Sequence, residues 1–184
     1  SFENAGAGGT VTVRLDHTSR NFPLKQFGLS VPRRSCFVAA GFYIAHGSIV
    51  DEVPYDPFLP FIFMGEEIAL SHRLWTSGYD IYAPSANVLR HEYGREDQPK
   101  FWETVNAAFS VPTMYNDLSD LITQRIQHYL GFPEAKEVSD VSPPSLLDSI
   151  DSFSTGRFRS GHAFAKACGI DYGARVQTAP KWCS

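Results

Sequence analysis

The sequence has 184 residues, 43% hydrophobic and 14% aromatic, which is enough apolar surface for one packed core of ordinary size with a small appendage. With 20 acidic against 16 basic side chains the formal net charge is −4, and no basic block is long enough to neutralise a run of phosphates, which argues against nucleic acid as a partner. The longest apolar stretches, Cys36 to Ala45 and Pro57 to Met64, are too short for a bilayer and interrupted by Gly or Pro, so no membrane span is expected.

Ser1 to Thr10 is rich in Gly and Ala, without the basic start and apolar core of a signal peptide, and the absence of an initiating Met leads us to expect further sequence upstream. Val11 to Leu15 alternates weakly and predicts a short strand; Asp16 to Ser30 holds no period and predicts a loop. Residues 1–35 are therefore set apart as a segment of uncertain structure. Cys36 to Ala45 (CFVAAGFYIA) is apolar on both faces and carries aromatic and β-branched residues, which predicts a buried strand, with Gly41 permitting a bulge or a close approach. Three prolines between Val53 and Pro60 exclude a regular helix or central strand there.

A helical pattern begins at Glu66, with Ile68, Leu70, Leu74 and Trp75 available to a core and Gly78 placed to end it. Short strands are predicted at Asp80 to Tyr82 and Asn87 to Tyr93. Helices are predicted from Pro99 through Phe109 and from Asn116 to Leu130; the second carries an apolar stripe and Gly131 as its stop. These elements define a core portion over residues 36–131. Residues 132–184 read as a Pro-, Ser- and acid-rich linker, a last helix over about Arg157 to Cys168, and an irregular tail. The three cysteines, Cys36, Cys168 and Cys183, follow no metal spacing. Three reduced thiols would suit the cytoplasm, whereas a Cys168–Cys183 bridge would suit a secretory compartment such as the Golgi lumen.

The chemistry is concentrated between Val53 and Arg95. Phe63-Met64-Gly65-Glu66-Glu67 places a glycine before two carboxylates at a strand-to-helix junction, where backbone and ligand can approach closely and the helix start favours negative charge. Adjacent helical residues diverge by about 100°, so these glutamates cannot flank one glycosidic bond as a hydrolase pair must. One is expected to face a pocket, and the other to cap the helix or pair with an arginine such as Arg73. The plain alternative is two ordinary first-turn glutamates. His91 lies at the end of a predicted strand, followed by Tyr93 and Arg95; an imidazole there suits Mn or Zn, and the two neighbours suit a diphosphate. A hydrogen-bonded histidine beside a surface arginine fits the same spacing.

Taken as an ordered series, Ala40-Gly41-Phe42, Glu52-Val53-Pro54-Tyr55-Asp56-Pro57, Gly65-Glu66-Glu67, Arg73-Leu74-Trp75-Thr76, Gly78-Tyr79-Asp80, Pro84, and His91 with Tyr93 and Arg95 resemble the polypeptide N-acetylglucosaminyltransferases that modify hydroxyproline or threonine. The similarity resumes at Gly156-Arg157 through Gly169-Ile170-Asp171 and covers about half the chain. It implies an α/β architecture, the C-terminal, acceptor-side portion of a GT-A nucleotide-sugar transferase fold, with a mixed sheet covered by helices. It also implies transfer of N-acetylglucosamine from UDP-N-acetylglucosamine to a protein hydroxyl, with Mn or Mg as cofactor. On this resemblance Glu66 and Glu67 are the catalytic candidates and His91 is the metal ligand. Gly65, Tyr93 and Arg95 would bind substrate, and Phe63, Trp75 and Trp102 are candidates for stacking on sugar or acceptor.

The sequence departs from the GT-A pattern in one respect: it contains no Asp-X-Asp. The expected partners are therefore a protein acceptor, the nucleotide sugar, and an N-terminal half supplied by the same polypeptide or another chain. A binding or regulatory subunit derived from a transferase is the alternative, and a hydrolase built on His91 lacks further ligands at usable spacing.

Overall fold

A computed structural model of the protein describes residues 32–84, 99–109, 112–133, 135 and 143–178. Their elements run in the order β1 (Arg33–Arg34), α1 (Ile49–Glu52), α2 (Glu66–Thr76), β2 (Tyr82–Ala83), α3 (Phe101–Ala108), α4 (Pro112–Leu130), a 3-10 turn (Pro144–Leu147), α5 (Ile150–Phe153), α6 (Gly161–Cys168), β3 (Ile170–Asp171) and β4 (Val176–Gln177). Helices and short sheets agree with the α/β class. Sheet structure among the described residues amounts to two antiparallel pairs, β1 with β2 and β3 with β4. Arg33 stands opposite Ala83 in the first, and Ile170 opposite Gln177 in the second.

The main core forms where α2, α4 and α6 meet. Ile68 and Ala69 of α2, Ile122, Ile126, Tyr129 and Leu130 of α4, and Phe164, Ala165 and Cys168 of α6 close around one another with Cys36 and Tyr172. This core thus joins residues from 36–131 to residues from 132–184. The stripe at every third or fourth residue along α4 explains its contribution, since those positions recur on one side of a helix. A smaller cluster of Val38, Val53 and Leu74 lies beside it.

Three features differ from expectation. Cys36 to Ala45 forms no strand: the chain turns at Ala40-Gly41, and Phe42, Ile44 and Ala45 are exposed. Its backbone donors are taken by helix side chains instead of a neighbouring strand, with Val38 N donating to Ser71 Oγ at 2.9 Å and Ala40 N to Glu67 Oε1 at 2.9 Å. The segment is apolar because Cys36 and Val38 plug two cores from a loop, not because it is paired on both sides. Cys168 bonds to Cys36 across 132 residues, in place of the Cys168–Cys183 bridge considered above. Burial of both partners in the core, out of any register a sequence can display, decides that pairing. The last helix starts at Gly161, not Arg157, because Ser160 caps it with its Oγ accepting from Ala163 N at 3.1 Å.

Residues 156–159 instead clamp the end of α2. The amides of Phe158 and Arg159 both donate to Thr76 O at 3.0 Å. The Arg159 guanidinium donates to Gly78 O and Tyr79 O, pairs with Asp80 at 2.8 Å and covers the Trp75 ring at 4.7 Å. A cation over the last carbonyls of a helix is the favourable sign for its dipole. Elsewhere the boundaries lie close to the pattern: α4 begins four residues before Asn116 at Pro112, and the second short strand is Tyr82–Ala83 instead of Asp80 to Tyr82. The predicted strands at Val11 to Leu15 and Asn87 to Tyr93 fall outside the described residues.

Candidate functional site

Gly65 opens α2 with φ of 93°, a left-handed conformation that a side chain would strain, and a Cβ there would approach Ile126 Cδ1 at 3.8 Å. The residues before it, Phe61 to Met64, form no strand, so the glutamates sit at a loop-to-helix junction and not at the expected strand-to-helix one. Both Glu66 and Glu67 line a cavity of about 370 Å³ between α2, α4 and the loops that carry Val38 and Tyr55. Burial, reinforced by the like charge of Glu67, raises the Glu66 carboxyl above its ordinary range. Glu67 is held by the amide of Ala40. The expected pairing of one glutamate with Arg73 does not occur: Arg73 Nη2 donates to Pro54 O at 2.6 Å.

One face of α2 makes this wall. Glu66, Ala69, Leu70 and Arg73 recur at three- and four-residue intervals and all border the cavity. Trp75 follows Glu66 by nine residues, about half a revolution away at 100° per residue, and packs instead on Phe164 at 5.8 Å between ring centroids. It lies under Arg159 on the side of α2 that faces α6, away from the other sugar-stacking candidates. His72 shares that side; it is fully buried, with Nε2 2.9 Å from Thr155 Oγ1.

Phe63 and Trp102, far apart in sequence, come together. The Phe63 ring stacks on Phe101 at 4.7 Å and an interplanar angle of 24°, and its centroid lies 5.2 Å from that of Trp102. Tyr115 of α4 closes the group at 5.7 Å from Trp102. Phe63 is 43% exposed and Trp102 46%, so an aromatic surface remains open within two residues of Gly65. His91, Tyr93 and Arg95 lie outside the described residues. Among the described residues no group of three or more His, Cys, Asp or Glu could hold a metal ion.

Tyr43, Tyr55, Asp56, Arg73 and Tyr129 of the cavity wall escaped the sequence reading as site residues. Asp56 accepts from Arg125 through both carboxylate oxygens, at 2.8 and 3.2 Å, with both side chains essentially without solvent contact. Arg125 also donates to Leu146 O at 2.6 Å and Asp148 O at 3.1 Å, which ties the proline-rich loop to α4 and the 3-10 turn. A buried pair holds its place only when its remaining donors are satisfied, as these are. Tyr43 Oη lies 2.6 Å from Tyr55 Oη, and that contact, with burial, pushes the Tyr43 phenol up to about 12. Tyr129 was legible only as one more member of the α4 stripe, since apolar periodicity does not report where a hydroxyl points.

The family model described as glycosyltransferase (GlcNAc) matches residues 9–174, most of the chain. The chain belongs to this family. Glycosyl transfer, with N-acetylglucosamine as the sugar, is the activity that membership supports. No curated protein and no solved structure matches the chain. In this glycosyltransferase, three carboxylates, three tyrosines and an arginine border a mainly apolar hollow, an arrangement able to take up hydroxyls and small apolar groups. No helix among the described residues is long and apolar enough to cross a membrane.

Proposed function

We propose that this glycosyltransferase moves N-acetylglucosamine from UDP-N-acetylglucosamine to a hydroxyl of a protein, at hydroxyproline or Thr/Ser, as a hexosaminyltransferase with a GT-A catalytic domain. The observation that carries the reading is the placement of Glu66 and Glu67 together on the wall of the 370 Å³ cavity, in a chain of the GlcNAc glycosyltransferase family. Their carboxylates would accept hydrogen bonds from hydroxyls of sugar or acceptor and orient them for attack. The bond formed joins the sugar C1 to the acceptor oxygen, the bonds broken are C1 to the diphosphate and the acceptor O–H, and UDP departs with the proton released. The exposed Phe63 and Trp102 surface suits one face of a sugar or an acceptor peptide.

A divalent ion, Mn or Mg, with His91 as ligand and with Tyr93 and Arg95 over the diphosphate, completes the proposal. The described residues bring together no three metal-ligating side chains, and the sequence has no Asp-X-Asp. In this reading the acidic metal motif comes from a nucleotide-binding half in another segment or a partner chain. The buried Cys36–Cys168 bridge favours a secretory lumen over the cytoplasm, where thiols are kept reduced.

The test is transfer from UDP-N-acetylglucosamine to a Thr- or hydroxyproline-containing peptide, with the nucleotide-binding half supplied, for the parent and for Glu66→Gln and Glu67→Gln. Turnover should fall about 100-fold or more in at least one variant with little change in melting temperature. Equal losses of turnover and stability in both variants would assign the pair a structural role. Absence of nucleotide-sugar binding and transfer by the parent would favour a regulatory subunit.

A further inference from the structure

Buried polar atoms without a hydrogen-bond partner are rare, because each forfeits its hydration, and two of them belong to residues of the cavity wall. They are Arg73 Nε and Tyr129 Oη. Both side chains are more than nine-tenths buried, at 5% and 8% exposure. Both atoms can donate, and neither has an acceptor. Arg73 makes no ion pair among the described residues; Asp56, on the same wall, is engaged with Arg125.

The wall therefore has an order. Glu66 and Glu67 offer acceptors at the start of α2, Ala69 and Leu70 follow as an apolar stretch, and Arg73 with Tyr129 offers donors beyond it. Glu66 and Arg73 are seven residues apart, about 10 Å along the helix axis. That is too far for one small polar group to touch both ends. It suits a pyranose ring whose hydroxyls meet the glutamates while a carbonyl on a ring substituent reaches the two donors, with an attached methyl against the apolar stretch.

We propose that Arg73 and Tyr129 form a subsite that reads the acetamido carbonyl of the transferred sugar and so set the preference for an N-acetylated hexosamine over the plain hexose. This rests on the glycosyltransferase reading above and names the residues that choose its sugar. An anion in the same place is disfavoured by the two glutamates on the wall.

The experiment compares UDP-N-acetylglucosamine with UDP-glucose as donors, with the nucleotide-binding half supplied, in the parent, Tyr129→Phe and Arg73→Lys. The ratio of kcat/KM for the two donors should fall about tenfold in Tyr129→Phe, the loss of one hydrogen bond to the substituent. Because the Tyr129 hydroxyl has no hydrogen-bond partner among the described residues, the same variant should melt no lower than the parent; a purely structural tyrosine would melt lower. Arg73→Lys should shift the ratio in the same direction. An unchanged ratio in both variants, while the parent still transfers N-acetylglucosamine, would overturn the subsite and leave the transferase reading intact. A parent that binds and transfers neither sugar would overturn both. If Arg73→Lys weakens UDP and inorganic phosphate binding and leaves the donor ratio unchanged, the arginine serves an anion and the subsite falls.

Discussion

His72 shows how a single residue of this chain answers to its surroundings. Two positions before the end of the Glu66 to Leu74 pattern it reads as a polar interruption, yet it is fully buried, with its ring edge-on to Phe164 at 5.4 Å and near Tyr129. Burial first, and the positive charge of Arg73 second, press its pKa down to about 4 from the usual 6.5. The folded chain thus binds fewer protons than the unfolded chain between those values, so the contribution is complete above pH 6.5 and is lost as pH falls toward 4. The folded state should lose about 3 kcal/mol from this group across that window. Urea midpoints at pH 7, 5.5 and 4.5 check it, together with NMR of the imidazole, which should stay neutral until near pH 4. An imidazole that titrates near 6.5 would show that His72 is hydrated. The identity of this histidine was plain in the sequence, but its state was not, because desolvation is contributed by α4 and α6, remote in the chain.

Helices α2, α3 and α4 were legible as elements because each satisfies its own backbone locally and displays its buried side as a period. What ends α2 was less so. The chain after α5 crosses so close to its last turn that a Cβ on Gly156 would overlap the backbone of Ser77, while Gly156 N donates to Thr76 Oγ1 at 2.8 Å. Gly156→Ala should therefore cost about 3 kcal/mol, the upper range for forcing atoms into a packed contact. Gly41→Ala, which meets nothing within 4 Å, should cost well under 1 kcal/mol. Hydrogen exchange would locate the effect, with faster exchange of the amides at Ser77 and Tyr79 in the first variant. Equal stability of both variants would mean that the clamp yields freely. The segment from Cys36 to Ala45 failed as an element for the converse reason: apolar composition states that side chains are buried, and a loop delivering Cys36 and Val38 to two cores meets that condition as well as a strand does.

At the level of the whole molecule, the Cys36–Cys168 bridge spans 132 residues within the core and fixes the loop carrying Val38 against α6. Since it constrains a loop of 132 residues in the unfolded chain, its reduction should cost about 3 to 5 kcal/mol. For a chain of this size that corresponds to a melting temperature about 10 °C lower. Thermal unfolding of Cys36→Ser and of the parent with and without a reductant measures it. A parent that titrates three free thiols under non-reducing, unfolding conditions would contradict the pairing. The same bridge bears on the cavity, because the loop it anchors supplies Val38 and Ala40 to the wall that Glu66 and Glu67 complete.

The sequence by itself determined helices α2, α3 and α4, the glycine-glutamate-glutamate start of α2, and enough of the ordered motif series to indicate a glycosyltransferase. Those features are local: they depend on the period of one segment, on a cap, or on adjacent residue types. Only the tertiary structure decided that both glutamates share one cavity and that Phe63 meets Trp102 while Trp75 turns to α6. It alone joined Asp56 to Arg125 across 69 residues and left Arg73 Nε and Tyr129 Oη without an acceptor among the described residues. Each of these is a meeting of side chains from distant segments. A hydrogen bond or ring contact depends on the position and direction of both partners in space, and the spacing of residues along one chain carries neither.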